Sequence, residues 1–442
     1  MPVFDYAVRG ARLFMDGSLH EGDLGIIAGK IAAVGVLDGS ARQTLDARGL
    51  SILPGVIDSQ VHFREPGLTH KEDIESGTRS AVAGGVTSVL EEPNTDPTTT
   101  SAEALTKKLA VARGRAWCHY GFWIGASMDN LDALADLEAL PHTPGIGEVF
   151  MASSTGPLLV SDDASLRRVL ANGKHRVAVH SEDEDLILAN RAHWTGAMHV
   201  FDHPAIRSVE SSVNATRRIL ALSAETGRPV HVLHVSTAEE VGLLVDAKRQ
   251  RLGTSCEVTP QHLTFTSDDY SSLGSQIQMN TPIREPRHRE ALWKAVAEGV
   301  FDVFGSDHAP HTWEEKQQPY PASPSGMPGV QTMLPVVLDA VRAGLLSLEL
   351  AVAMLSSNPA RLFRLPSKGS LAVGMDADLA IVDLGGTFEV TQEWLQSKCG
   401  WSPYVGRRLA GRPVHTFVEG LPALFEGMIA EPGLGRPLDF LP

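Results

Sequence analysis

The chain has 442 residues, of which 53 are acidic and 38 basic, giving a formal net charge of −15, with 43% hydrophobic and 21% charged side chains. That composition is ordinary for a globular protein and excludes disordered, collagen-like and fibrous classes. The acidic balance argues against nucleic acid or an anionic membrane as the main partner, while leaving room for a small anionic ligand in a local basic pocket.

The N-terminus, Met1-Pro2-Val3-Phe4-Asp5-Tyr6, has neither a basic start nor an apolar run, so a signal peptide is not expected. Short glycine-punctuated strands are predicted over the first ~50 residues, as in Tyr6–Gly10 and Leu24–Gly35. The far end has the same character at Ala377–Asp383 and His415–Gly420. Two strand-rich ends around a long middle predict one small β domain built from both termini, residues 1–53 plus 367–442, around a central unit of residues 54–366.

The middle alternates short apolar runs with longer helical patterns. The runs are 52–57, 86–90, 121–124, 148–151, 176–179, 229–233, 254–258 and 301–304, and helices are predicted over 101–113, 163–172, 208–226, 238–251 and 287–297. Several of these begin at a serine or aspartate able to cap free N–H groups. Eight strand–helix repeats over roughly 270 residues predict an α/β fold, a (β/α)8 TIM barrel with a small β-sandwich domain. A doubly wound sheet would want a glycine-rich turn after its first strand, and no Gly-x-Gly-x-x-Gly or P-loop is present. The apolar region 334–355 is broken by Asp339, Arg342 and Glu349, so it is not expected to span a bilayer. Cys118, Cys256 and Cys399 are far apart, which excludes a disulfide framework or a thiolate zinc site and suits a reducing, cytoplasmic compartment.

In such barrels chemistry sits at the C-terminal ends of the strands. Here those ends carry His62, His180, His234 and Asp307, and the fourth run starts at Glu148. A lone strand-end histidine is usually a satisfied structural residue. Three histidines and two carboxylates on five different strands form the donor set of a zinc-like ion.

At these positions the chain resembles the class I dihydroorotases of the amidohydrolase superfamily. Pro54–Gly67 is similar to the Pro-Gly-x-x-Asp-x-His-x-His-Phe-Arg-Glu-Pro-Gly signature, and Ser306–His311 to the Asp-His-Ala-Pro-His motif. Glu92-Pro93-Asn94-Thr95 resembles Met-Pro-Asn-Thr, and Asn280–Arg284 resembles Asn-Pro-Pro-Leu-Arg. Further matches are 149–156 after strand four, His231–Thr237, Glu257–Leu263, and Asn358–Arg361 with Gly374–Asp383, so the likeness covers nearly the whole chain. The resemblance implies hydrolysis of a cyclic amide by a metal-activated water, between dihydroorotate and N-carbamoyl-aspartate in pyrimidine biosynthesis. It implies Zn2+, one or two ions per subunit, held by His62, Glu148, His180, His234 and Asp307, with Gln60 at a ligand position. It makes Asp307 the catalytic proton carrier and assigns Arg64, Asn94, Asn280 and His311 to the substrate. A guanidinium two residues past His62 can bind a carboxylate through two parallel hydrogen bonds; the bland alternative is a salt bridge from Arg64 to Glu65 or Glu72. The family also admits a homodimer and a partnership with aspartate transcarbamoylase.

Three positions depart from the family pattern. Gln60 replaces the first histidine of His-x-His, and an amide oxygen is a weaker zinc ligand than imidazole. Glu148 replaces a lysine that many relatives carboxylate to bridge two metals, with a reach shorter by roughly 3–4 Å. Gln261 stands where relatives usually have the first of two histidines, and His262 keeps the second. These departures leave an active dihydroorotase, a weak or inactive dihydroorotase-like structural partner, and a hydantoinase- or allantoinase-like enzyme as alternatives. Residues 311–327 are irregular and proline-rich, which predicts a lid or specificity loop beside the site, with an ordinary surface connection as the alternative.

Overall fold

In the computed structural model, which describes residues 3–152 and 156–442, the first predicted run divides into two strands at Gly55. β1 (Val3–Met15), β2 (Ser18–Ile27), β3 (Lys30–Gly35), β4 (Ser40–Asp46) and β5 (Ser51–Pro54) belong to a terminal sheet. β6 (Val56–Val61) opens the barrel. A Cβ on residue 55 would lie 2.2 Å from Thr87 Oγ1 and 2.9 Å from the Asp378 Cβ, so only glycine lets the chain pass between the two sheets here.

The barrel continues through β7 (Val86–Glu91), β8 (His119–Phe122), β9 (Val149–Phe150), β10 (Val177–His180), β11 (Val230–Val232), β12 (Ser255–Val258) and β13 (Val303–Phe304). β6–β7–β8 and β9–β10–β11–β12–β13 form two parallel arcs. Bridges between Val61 and His308 and between Ile124 and Ile146 join them into a ring. The predicted helices lie between the strands, at Ala102–Ala112, Asp163–Ala171, Val209–Thr226, Ala238–Arg249 and Pro286–Ala297. Ser101, Asp162, Ser208 and Thr237 each accept a backbone N–H at the first turn, a cap worth about 1 kcal/mol. Apolar residues such as Val89, Val179, Val232 and Phe304 face the helices and form the main core. Ile57, Leu90, Trp123 and Phe363 pack together in a separate cluster, with Trp123 and Phe363 edge to face at 5.6 Å.

The terminal sheet is completed by β14 (Leu379–Glu389), β15 (Arg408–Val418), β16 (Leu421–Phe425) and β17 (Met428–Ile429), in the order β17-β16-β15-β14-β5-β1-β2-β3 with β4 added on β1. Its nine strands thus come from both ends of the chain. Residues 391–407 leave this sheet for the barrel's active-site face, where Trp401 Nε1 donates to His311 O at 2.8 Å. The last residues return to the barrel as well, where Leu438 N donates to Tyr120 O at 2.8 Å. All three thiols are free. Among the described residues no helix is long and apolar enough to cross a membrane.

Candidate active site

The C-terminal ends of the strands open into a cavity of about 320 Å³, lined by His62, Arg64, Asn94, Glu148, His180, His234, Asn280, Asp307 and His311 among others. At its base Glu148, His180 and His234 converge, each offering one ligand atom within 4.8 Å of the others. His180 Nδ1 lies 3.0 Å from His234 Nε2. Glu148 Oε1 lies 3.2 Å from His180 Nδ1 and 3.3 Å from His234 Nε2. Two imidazole nitrogens this close to each other and to a carboxylate are the donor set that a buried zinc-like cation satisfies. The shorter reach of Glu148 therefore does not remove it from the cluster.

His62 stands beside this group, with Nε2 at 3.1 Å from Asp307 Oδ1 and 4.0 Å from Glu148 Oε2. Its Nδ1 lies 2.7 Å from Asn94 Oδ1, so the asparagine holds the ring with Nε2 turned to the carboxylates. Burial works against charging His180, but hydrogen bonds to Glu148 and Glu182 raise its pKa to about 9. Despite burial, His180 and His234 hold Glu148, and Arg207 and His180 hold Glu182, well below the usual carboxylate range.

Arg64 is 7% exposed. Its Nε donates to Pro310 O at 3.2 Å, and one terminal nitrogen lies 3.4 Å from His311 Nε2. Among the described residues no carboxylate pairs with it. Glu65 pairs with Arg115, while Glu72 takes bonds from Ser76, Ser397 and Lys398, so the salt-bridge alternative for Arg64 is not what the fold uses. Burial lowers Arg64 to about 10, and it stays a cation at neutral pH. His311 is desolvated to about 3 and is neutral, with Nε2 donating to Ser325 O at 2.9 Å and Nδ1 3.1 Å from Lys71 Nζ.

Arg64, His234 and Asp307 have φ of 65°, 33° and 42°. Left-handed backbone at a non-glycine residue costs on the order of 1–3 kcal/mol and gathers at functional sites. Nothing in the sequence pattern announces it. Gln60 is fully buried and does not line the cavity; among the described residues neither atom of its amide finds a hydrogen bond. Gln261 donates to Ser306 O at 2.6 Å, and His262 spans Thr259 Oγ1 and Thr281 O, so both brace strand-end loops.

Two functional residues escape the sequence reading. Glu182 Oε2 lies 2.8 Å from His180 Nε2, and Arg207 reaches the same oxygen from 25 positions further on. An acid two residues past a strand-end histidine is a visible signal for Glu182; Arg207 has none. Residues 311–327, for which a lid and an ordinary surface connection are both expected, contribute Tyr320, Pro321 and residues 323–326 to the cavity wall. They are fastened by Lys316, which is buried and donates to the carbonyls of Gln278, Pro324 and Gly326. Of the segment 149–156, only 149–152 and Gly156 are described; the rest lies outside the described residues, as do Met1 and Pro2.

Comparison with known proteins agrees with this geometry. The model of the amidohydrolase family matches residues 51–422. A dihydroorotase of Methanosarcina mazei is 36% identical over 98% of this chain and 98% of its own. An allantoinase of Deinococcus radiodurans is 34% identical, again over 98% of each. The solved L-hydantoinase of Arthrobacter aurescens superposes with a TM-score of 0.93 at 31% identity, covering 99% of this chain and 100% of that one.

Proposed function

This chain belongs to the amidohydrolase family and is a cyclic amide hydrolase, and on that premise we propose that the ring it opens and closes is dihydroorotate, with N-carbamoyl-aspartate as the open form, a step of pyrimidine biosynthesis. One observation carries this reading: Arg64, a buried guanidinium without a carboxylate partner among the described residues, lines the cavity beside the ligand cluster. A buried cation of this kind is stabilised by an anionic ligand, and its planar fork matches a carboxylate. Dihydroorotate carries one beside its cyclic amide.

The chain's own groups then divide the work. Arg64, steadied by Pro310 O, takes the substrate carboxylate, with His311 beside it and Asn280 on the cavity wall. Asp307, 3.1 Å from His62, accepts the proton of the attacking water and returns it to the ring nitrogen. Glu148, His180 and His234 fit a divalent cation, to which we assign zinc; when bound it supplies Lewis-acid polarisation and lowers the pKa of water. An inert partner of aspartate transcarbamoylase would have no use for this buried cluster.

The allantoinase and hydantoinase likenesses favour a second reading, a ring without a carboxylate. Turnover of dihydroorotate, allantoin, hydantoin and dihydrouracil by the zinc-loaded protein separates them. Dihydroorotate is expected to give the highest kcat/KM. A carboxylate-free ring turned over faster would replace the substrate, and no turnover together with no bound metal would end the enzyme reading.

A further inference from the structure

We propose that Glu92 is a metal ligand. With Gln60 and the second oxygen of Glu148 it forms an oxygen-rich position beside the Glu148–His180–His234 cluster, suited to a harder divalent cation such as Mn2+. The proposal rests on the metal-dependent reading of the site and is independent of which ring is hydrolysed.

The strand register brings these groups together. Val61 of β6 pairs with Glu91 of β7. Val61 packs in the outer core, and Glu91 pairs outward with Lys108 on the helix Ala102–Ala112. Side chains alternate along a strand, so Gln60 and His62 on one strand and Glu92 on its neighbour turn into the barrel. Glu92 N donates to Val61 O at 2.9 Å, which sets residue 92 level with the Gln60-x-His62 pair.

Among the described residues, the side chains of Glu92 and Gln60 have no hydrogen-bond partner. Glu92 and Gln60 are both 0% exposed. Among the described residues, neither oxygen of Glu92, neither atom of the Gln60 amide, and not Oε2 of Glu148 takes part in a hydrogen bond. Two other interior acids each have one bonded oxygen and one without a partner: Asp58 accepts from Ser306 N at 3.0 Å, and Glu257 from Ser59 Oγ at 2.9 Å. The charges that bear most on Glu92 are Glu148, Glu91, Glu257 and Asp307, all acids. A desolvated carboxyl among acids, without a donor, is costly to leave uncompensated. A cation held between Glu92, Gln60 and Glu148 compensates all three at once.

The donor chemistry names the class of ion. Imidazole suits zinc, and the pair His180–His234 provides it. Carboxylate and amide oxygens suit Mg2+, Ca2+ and Mn2+. Against the dihydroorotase signature, the chain exchanges histidine for Gln60, lysine for Glu148 and methionine for Glu92, and each change ends in an oxygen donor on this one side of the site.

The test strips the full-length protein with a chelator and reloads it with Zn2+, Mn2+ or both. Metal is counted by mass spectrometry, and bound Mn2+ is followed by electron paramagnetic resonance. The unmutated protein should hold one zinc and one manganese. Glu92→Gln should keep the zinc, which also reports an intact fold, and weaken Mn2+ binding by at least about tenfold; Gln60→Leu should do the same. Wild-type Mn2+ affinity in Glu92→Gln, or two zinc ions with no manganese in the unmutated protein, overturns the proposal. Should Glu92→Gln lose the zinc as well, anomalous diffraction from the manganese-loaded unmutated protein decides: density touching Glu92 supports the assignment and density away from it overturns it. Ring turnover in the same samples fails or succeeds separately.

Discussion

His180 presents Nδ1 to His234 and Glu148 and Nε2 to Glu182, whose Oε2 lies 2.8 Å away. With Nδ1 as the ligand atom, Nε2 carries the proton and donates it to Glu182, which Arg207 holds through two nitrogens, with Nε at 2.9 Å. Such outer partners fix the ring's tautomer and orientation. Glu182→Gln is expected to weaken zinc binding about 10- to 100-fold while leaving dihydroorotate KM nearly unchanged once zinc is saturating. Competition with a chromophoric chelator measures it, and unchanged zinc affinity would show that Glu182 merely fills space.

Replacing Arg64 tests the carboxylate contact. Arg64→Gln should lower kcat/KM for dihydroorotate by about 10²- to 10³-fold, as loss of one partner of a buried charged pair costs roughly 2–5 kcal/mol. Activity on a ring without the carboxylate should change by less than about tenfold. Equal losses on both rings would mean that Arg64 supports the loop rather than the substrate.

Asp307→Asn removes the proposed proton carrier and keeps the shape. The kcat should fall by about 10²- to 10⁴-fold, the usual contribution of a positioned acid–base group, while the zinc equivalent at His180 and His234 remains. Steady-state kinetics with metal analysis checks both halves, and a variant within tenfold of the parent would move the proton transfer to another residue.

His203 gives a pH signature. Burial, helped by the charge of Arg207, depresses its pKa from 6.5 to about 4, and its Nε2 donates to Met279 O at 2.9 Å. The folded protein therefore binds this proton less readily than the unfolded chain does. The stabilisation is whole above pH 6.5 and is lost as pH falls toward 4. Between pH 7 and pH 5 the loss from this group is roughly 2 kcal/mol. Urea midpoints at the two pH values should fall more for the parent than for His203→Gln, and parallel curves would contradict the assignment.

At Gly55, alanine would press its methyl against Thr87 Oγ1. Gly55→Ala should cost about 1–3 kcal/mol, within the range for overpacking. Thr87→Ala in the same molecule should recover part of it, so a double-mutant cycle of thermal melts reads the contact directly. Strictly additive effects would place the strain elsewhere.

Much of this protein is legible in its sequence because local rules govern it. Alternating short runs and capped helical stretches predict the barrel strands to within a few residues, since a parallel strand buried on both faces reads as a continuous apolar run. The run 52–57 misleads for the same reason: apolarity marks burial, and only the tertiary crowding at Gly55 assigns its halves to two different sheets. Strand-end position likewise names His62, His180, His234 and Asp307, because in this architecture the C-terminal ends of the strands face the mouth, whereas Glu148 immediately precedes β9. The sequence left the reach of Glu148 undecided. Position in space decides it, by setting Oε1 between two imidazoles. Arg207 on Glu182, Asn94 on His62 and Lys316 on the Gln278 carbonyl are contacts between residues far apart in the chain. Charge and hydrogen bonding depend on distance in three dimensions, and no spacing along one dimension encodes it. By itself the sequence determined the architecture and the kinds of side chain gathered at the strand ends; the tertiary structure alone decided which of those side chains meet, because contact depends on distance in space.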